Sequence, residues 1–178
     1  MPKGEPGALL LTGPPGVGKT TAIRRAAEEL SDLRIRGFTT AEIRKAGQRV
    51  GFRIETFDGQ DAILADVRIR SAHRVGRYGV DIEALDRVAA DQLSASHRGD
   101  VFFIDEIGKM ETFSGIFVEL VERLLDSPAV LVATVGLRGG GFIASVKRRP
   151  DVVVWTVSRQ NRDRMPGEIA SWVRLRIG

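Results

Sequence analysis

Residues 13–20 read Gly-Pro-Pro-Gly-Val-Gly-Lys-Thr and directly follow the apolar run Ala8 to Leu11. The spacing G-x-x-x-x-G-K-[ST] is that of a phosphate-binding loop. Its glycines let the backbone curl so that successive N–H groups point at phosphate oxygens, and the following helix presents its positive dipole end. A run of this kind between a strand and a helix favours a nucleoside triphosphate site over a plain Gly/Pro turn.

Two side chains of the loop have separate predicted tasks. Lys19 places a positive charge near the β- and γ-phosphates, and Thr20 offers a hydroxyl to Mg²⁺. Mg²⁺ is therefore the predicted cofactor. The predicted nucleotide-binding residues are Gly13, Pro14, Pro15, Gly16, Val17, Gly18, Lys19, Thr20 and Thr21.

The composition predicts one domain over residues 1–178, because 178 residues with 43% hydrophobic content suffice for a single core. No apolar run approaches the roughly 20 residues that cross a bilayer, so we expect a cytoplasmic protein. We also expect a monomer. The absence of cysteine excludes disulfides and thiolate metal sites. His73 and His97 share no ligand spacing and are expected at the surface.

The net charge of +4 raises the alternative of a nucleic-acid-binding module. The basic residues occur in small groups such as Lys147-Arg148-Arg149, interleaved with acids, and aromatic residues make up only 6% of the chain. A stacking platform for single strands is therefore not evident. The pattern favours a solvated basic surface over a nucleic-acid interface.

Hydrophobic periodicity predicts the helices and strands in the first half of the chain. Apolar residues at helical spacing indicate a helix over 19–30. Extended segments at 35–43, 50–57 and 61–67, the last two separated by the turn Asp58-Gly59-Gln60, indicate an antiparallel insertion. Asp81 is placed to cap a further helix.

The second half alternates strands and helices. Buried strands are predicted at 101–104, 129–135 and 152–155, with a helix from Phe113 to Leu125 and a short helix at 142–148 after the glycine-rich loop 136–141. The final helix is predicted to bury Met165, Ile169, Trp172 and Val173. This alternation predicts an α/β fold with a mostly parallel sheet and helices on both faces.

The adjacent acids Asp105 and Glu106 follow a buried strand, and ligands in parallel sheets lie at the carboxyl ends of the strands. Asp105 suits Mg²⁺, which prefers oxygen ligands. Glu106 is placed to orient a water and accept its proton. The alternative is that Glu106 caps a turn or forms an ion pair with Arg138 or Lys109.

Three further side chains are candidates for the reaction. Thr134 ends the next strand and is predicted either to bond the attacking water or γ-phosphate, or only to bond neighbouring backbone. Arg138 is a catalytic candidate in the glycine-rich loop and Lys109 is a second one, each able to neutralise developing charge. The alternative for each is a solvated side chain at the surface.

The paired acids favour hydrolysis over phosphoryl transfer to an acceptor, because nucleotide kinases often lack a second acid that activates water. A nucleotide or small-molecule kinase stays an alternative, since the inserted strands are able to hold an acceptor. The nucleotide-gated nucleic-acid-binding module is the alternative from another class.

The chain resembles the small P-loop nucleoside-triphosphatases typified by cancer-related nucleoside-triphosphatase and its prokaryotic relatives. The likeness covers about residues 8 to 163. Four stretches carry it besides the phosphate loop: Gly37-Phe38-Thr39-Thr40-Ala41-Glu42, Tyr78-Gly79-Val80, Asp105-Glu106-Ile107-Gly108-Lys109-Met110-Glu111 and Asn161-Arg162-Asp163.

The resemblance implies a RecA-like domain that slowly hydrolyses ATP, GTP and other nucleoside triphosphates with Mg²⁺ and little base preference. It implies nucleotide binding by residues 13–20, and metal-binding and water-activating roles for Asp105 and Glu106. Residues 161–163 are expected either near the base or as a brace for the last helix. The chain departs from the family after Thr134, where relatives often carry proline.

Overall fold

A computed structural model describes residues 7–94 and 100–177, in which strands and helices alternate along the chain. The strands are β1 (Ala8–Thr12), β2 (Ile35–Lys45), β3 (Gln48–Thr56), β4 (Asp61–Asp66), β5 (Arg74–Val75), β6 (Tyr78–Val80), β7 (Val101–Ile107), β8 (Val130–Val135) and β9 (Val152–Thr156). The helices are α1 (Lys19–Glu29), α2 (Ile82–Leu93), α3 (Gly115–Leu125), α4 (Gly141–Lys147) and α5 (Met165–Ile177).

All nine strands of the described residues join one sheet in the order β5-β6-β4-β3-β2-β7-β8-β1-β9. The five strands from β2 to β9 in this order pair in parallel. The strands β3 to β6 pair antiparallel, which confirms the predicted insertion. The predicted α/β fold is therefore present, and β8 lies between the strand that precedes the phosphate loop and the strand that carries the paired acids.

The strand β2 belongs to both parts of the sheet. Its first residues, Ile35 to Phe38, pair in parallel with Val101 to Ile104 of β7. From Phe38 onward it pairs antiparallel with β3. The insertion is thus a continuation of a central strand, and this continuity holds it beside the carboxyl end of β7.

Alternating side chains of the parallel strands form two cores, one on each face of the sheet. Leu10 of β1 faces the side covered by α2 and α3. Its neighbours Leu9 and Leu11 face the side covered by α1 and α5. Strands buried on both faces explain the continuous apolar runs in the sequence.

Two helix starts follow from side-chain caps. Asp81 accepts a hydrogen bond from the backbone N–H of Ala84 at 2.9 Å and starts α2, as predicted. Ser114 accepts from the N–H of Phe117 at 2.9 Å and starts α3. The prediction of a helix from Phe113 was therefore wrong by two residues, because Phe113 ends a separate 3-10 helix (Glu111–Phe113).

The strand predicted at 152–155 is present, but the prediction that it is buried was wrong. The strand β9 is the last in the sheet order and pairs only with β1. Its side chains are partly or fully accessible, and Val154 is 39% exposed. Its valines reflect β propensity at a sheet edge rather than burial on both faces.

Gly37 of β2, which pairs with Phe103 of β7, should be essential for the stability of the fold. Its φ is +104°, and an added Cβ would lie 2.0 Å from the Phe103 carbonyl oxygen. We expect Gly37→Ala to lower the free energy of unfolding by at least about 2 kcal/mol more than Gly47→Ala. Gly47 is the matched control, with a φ of +78° and no atom within 4 Å of its Cβ position. Urea denaturation measures both, and equal losses would contradict this packing account.

Candidate functional site

The phosphate loop lies between β1 and α1, at the carboxyl end of the parallel strands. Gly13 is needed where the loop begins, because an added Cβ would lie 2.5 Å from the Val157 carbonyl oxygen. The side chain of Val17 is 6% exposed and packs into the core, so only its backbone faces the loop interior. Residues 14–16 are exposed, which leaves the predicted phosphate site accessible.

Lys19 folds back over this loop. Its Nζ donates hydrogen bonds to the carbonyl oxygens of Gly13 at 2.9 Å and Pro14 at 3.1 Å. The ammonium group is therefore held where the motif places it, over the loop whose N–H groups are predicted to bind phosphate.

Asp105 is held by the neighbouring central strand. The Thr134 hydroxyl donates to Asp105 Oδ1 at 2.6 Å, and the two residues are 0% and 2% exposed. Asp105 Oδ2 is buried without a hydrogen-bond partner, as is the hydroxyl of Thr12 at the end of β1. A buried carboxylate oxygen without a donor is costly, and a cation ligand satisfies it.

One cavity of about 460 Å³ is lined by several of the predicted residues from both motifs. The phosphate-loop residues Lys19 and Thr20 line it on one side, and Asp105 and Glu106 line it on the other. Pro15, Gly16, Gly18 and Thr21 also border this cavity. The convergence expected from the sheet topology is therefore present, and we call this space the phosphate cavity.

Glu106 is half-buried, and the peptide bond that joins it to Asp105 is cis. Burial raises the pKa of the Glu106 carboxyl above its usual range, and the negative charge of Asp105 adds to the increase. The charges of Lys19 and Lys147 oppose this shift. The result is a carboxylate of increased basicity beside the predicted γ-phosphate position.

The cationic candidates differ in their positions. Arg138 is exposed on the loop after β8 and does not border the phosphate cavity. Lys109 is exposed near Glu106 and borders a second, smaller cavity with it.

Lys147 is a residue that the sequence did not single out for the site. Its Nζ donates to the carbonyl oxygens of Gly136 and Leu137, so α4 holds the glycine-rich loop. In the sequence it belonged to the basic group 147–149. Arg149 of that group is paired with Asp126 and Asp151, which weakens the nucleic-acid alternative.

Asn161 and Arg162 in the stretch 161–163 make different contacts. Asn161 Oδ1 accepts from the Ser158 N–H at 2.7 Å, and its amide donates to the Thr156 carbonyl at 2.9 Å, which braces the turn before α5. Arg162 lies against the phosphate loop, since a Cβ added to Gly18 would be 3.7 Å from Arg162 Cδ. Asn161 therefore acts as a brace before α5, whereas the expectation that this stretch lies near the base stays a prediction.

Glu111 is a second carboxyl that sequence reasoning missed. It is 5% exposed, and burial raises its pKa to about 8, with smaller contributions from the charges of Glu106 and Asp105. Gly108 separates the carboxyls, because an added Cβ would lie 2.7 Å from Glu106 Oε1 and 2.8 Å from Glu111 Oε2. The only signal in the sequence was the quoted motif that contains both acids.

The described residues contain neither a cluster of metal-binding side chains nor a helix that could span a membrane. Within residues 7–94 and 100–177, no group of three or more His, Asp or Glu side chains is placed to hold a metal ion. His73 is exposed, as predicted, whereas His97 lies outside the described residues. No helix in the same part of the chain has both the length and the apolar character needed to cross a bilayer.

The fold and the site together define a P-loop nucleotide-binding protein of the α/β class. The family model described as NTPase matches residues 8–170, and the chain belongs to this family. It is 40% identical to nucleoside-triphosphatase THEP1 of Thermotoga sp. (strain RQ2), over 96% of this chain and 97% of that protein. It is 35% identical to the cancer-related nucleoside-triphosphatase of Homo sapiens, over 93% and 96% of the two chains.

Two solved structures share the fold. The crystal structure of THEP1 from Aquifex aeolicus superimposes with a TM-score of 0.85 at 35% identity and covers 93% of this chain and 98% of that one. The solution structure of a human cancer-related nucleoside triphosphatase gives a TM-score of 0.81 at 35% identity, over 94% and 97%. The family resemblance identified from the motifs is therefore confirmed.

The buried carboxyl of Glu111 should make stability depend on pH. Because its pKa is higher in the folded chain than in the unfolded chain, its stabilising contribution is complete below about pH 4.5 and is lost as the pH rises through about 8. We expect the stability of Glu111→Gln relative to the natural protein to increase by on the order of 2–4 kcal/mol between about pH 5 and pH 8. Urea denaturation at both pH values measures this change.

Glu122 is an exposed carboxyl on α3, and Glu122→Gln is therefore the matched control. Its stability relative to the natural protein should not change between these two pH values. A pH-independent difference between Glu111→Gln and the natural protein would rule out the buried-carboxyl account.

Proposed function

We propose that this protein hydrolyses nucleoside triphosphates, ATP and GTP among them, to the diphosphate and inorganic phosphate, slowly and with broad base specificity. The observation that carries the proposal is the phosphate cavity, which Lys19, Thr20, Asp105 and Glu106 share. The relatives named as nucleoside-triphosphatases support the same reaction.

The phosphate loop would bind the triphosphate. Backbone N–H groups of the non-proline residues among 13–18, together with the start of α1, would supply the anion site. Lys19 Nζ, which bonds the Gly13 and Pro14 carbonyls, would turn to the β- and γ-phosphates when they are bound.

Mg²⁺ fits the residues of the phosphate cavity. Asp105, whose Oδ2 is buried and unpartnered, and Thr20 both border this cavity and carry hard oxygen donors. When bound, Mg²⁺ would neutralise negative charge on the phosphates. Thr134 would act by orienting Asp105, since its hydroxyl already donates to Oδ1.

Glu106 would act as the general base. A water oxygen forms a bond to the γ-phosphorus, the bond from that phosphorus to the β–γ bridging oxygen breaks, and the water proton passes to the Glu106 carboxylate. The raised basicity that burial gives this carboxylate supports the role. Arg138 is proposed as a cation that would have to approach by movement of its exposed loop.

The proposals for domain organisation, oligomeric state and location are those made from the sequence. We propose a single domain over residues 1–178, a monomeric state and a cytoplasmic location, each of which stays a prediction. Direct measurement of mass in solution would test the monomer.

The first test removes the proposed base. Glu106→Gln should keep the affinity for a fluorescent nucleotide and lower phosphate release by at least about 10²-fold, because the amide cannot accept the proton. Glu122→Gln on α3 is the control and should retain full turnover. Turnover of Glu106→Gln close to that of the natural protein would remove Glu106 from the mechanism.

The second test addresses the metal. Chelation by EDTA should stop phosphate release and added Mg²⁺ should restore it. Asp105→Asn should raise the Mg²⁺ concentration for half-maximal release at least about tenfold, because an amide is a weaker ligand. Asp61→Asn, an exposed acid at the start of β4, should not change this concentration. An unchanged requirement in Asp105→Asn would contradict its role as a ligand.

A further inference from the structure

A second cavity of about 230 Å³ adjoins the phosphate cavity. Its walls are the apolar side chains of Phe52, Leu64 and Val75 from the inserted strands, together with Met110. Its polar lining consists of the carboxyl groups of Glu106 and Glu111, the ammonium group of Lys109 and the hydroxyl of Thr40. We call this space the insertion cavity.

The two cavities share Glu106, and they also share Thr40 and Phe52. The proposed base therefore borders both the space for the triphosphate and a separate apolar space. Water activation alone does not require such a space, because a water molecule needs only polar partners and little room.

The size and the walls of the insertion cavity limit what it accepts. It is smaller than the pockets of about 300–1,000 Å³ that hold drug-sized ligands, which favours a small acceptor over a nucleotide. Apolar walls favour a molecule with a hydrocarbon body. The carboxylate of Glu106 favours a hydrogen-bond donor at one end of that body.

We propose that the insertion cavity binds a small alcohol with an apolar body and that Glu106 directs its hydroxyl to the γ-phosphate in place of water. This inference rests on the proposed function, since it uses the same triphosphate and the same base. It adds a phosphotransferase activity whose product is a phosphate monoester.

The transfer is balanced without any oxidant or reductant. The alcohol oxygen forms a bond to the γ-phosphorus, and the bond from that phosphorus to the β–γ bridging oxygen breaks. The hydroxyl proton passes to the Glu106 carboxylate, and the nucleoside diphosphate leaves. Water and alcohol therefore compete for one step, and occupancy of the insertion cavity decides between them.

The test incubates the full chain with ATP and Mg²⁺ in the presence of cyclohexanol, benzyl alcohol or glycerol, and measures phosphate monoester and inorganic phosphate by phosphorus NMR. We expect cyclohexanol or benzyl alcohol to give at least about tenfold more monoester than an equal concentration of glycerol, whose body is polar. Phosphate release without any monoester from the two apolar alcohols would overturn this inference alone. Failure of both products would overturn the proposed function.

Variants that fill the insertion cavity test whether the alcohol binds there. Val75→Trp, and the milder Val75→Phe, should lower monoester formation in graded steps, by about tenfold for tryptophan, while phosphate release stays within about twofold. Ile63→Trp is the matched control, because Ile63 lies on β4, is 46% exposed and does not border the cavity. Monoester formation that Val75→Trp leaves unchanged would contradict binding in this cavity.

Discussion

The parallel pairing of β7, β8 and β1 is the constraint on which the site depends. It brings the phosphate loop that follows β1 to the same edge as Asp105, although the two are far apart in sequence. Thr134 of the middle strand then fixes the carboxylate of Asp105 by one short hydrogen bond. The oxygen left over is buried and unpartnered, which is unfavourable in a core but is expected where a cation binds.

Two buried or half-buried carboxyl groups lie close together at this edge of the sheet. Glu106 and Glu111 lie on either side of Gly108, and burial raises the pKa of both carboxyls. Lys19 and Lys147 supply the opposing charge near Glu106. A residue with any larger side chain in place of Gly108 would have to displace one of the two acids, so glycine at this position is a condition for the acidic pair.

Much of the fold and part of the site followed from the sequence. The phosphate loop and the Asp105-Glu106 pair are local patterns, and a mostly parallel sheet follows from the alternation of strands and helices, so these were predictable. The strand order was not predicted, because alternation alone is compatible with several orders. The burial of Glu111 and the approach of Lys147 to the loop at Gly136 depend on long-range packing, which leaves no periodic signal. The exposure of β9 was missed because an edge strand and a central strand share the same valine-rich composition.

The insertion changes what the phosphate site is able to do. Since β2 is paired with β7 at one end and with β3 at the other, its course fixes the wall formed by Phe52 close to Glu106. The proposed base borders two spaces and would not itself select water, because the same carboxylate can accept a proton from any hydroxyl that reaches the γ-phosphate. In our proposal, selection depends on which molecule the walls of the insertion cavity admit, so the chemistry of the inserted strands, rather than that of the phosphate loop, would set the acceptor.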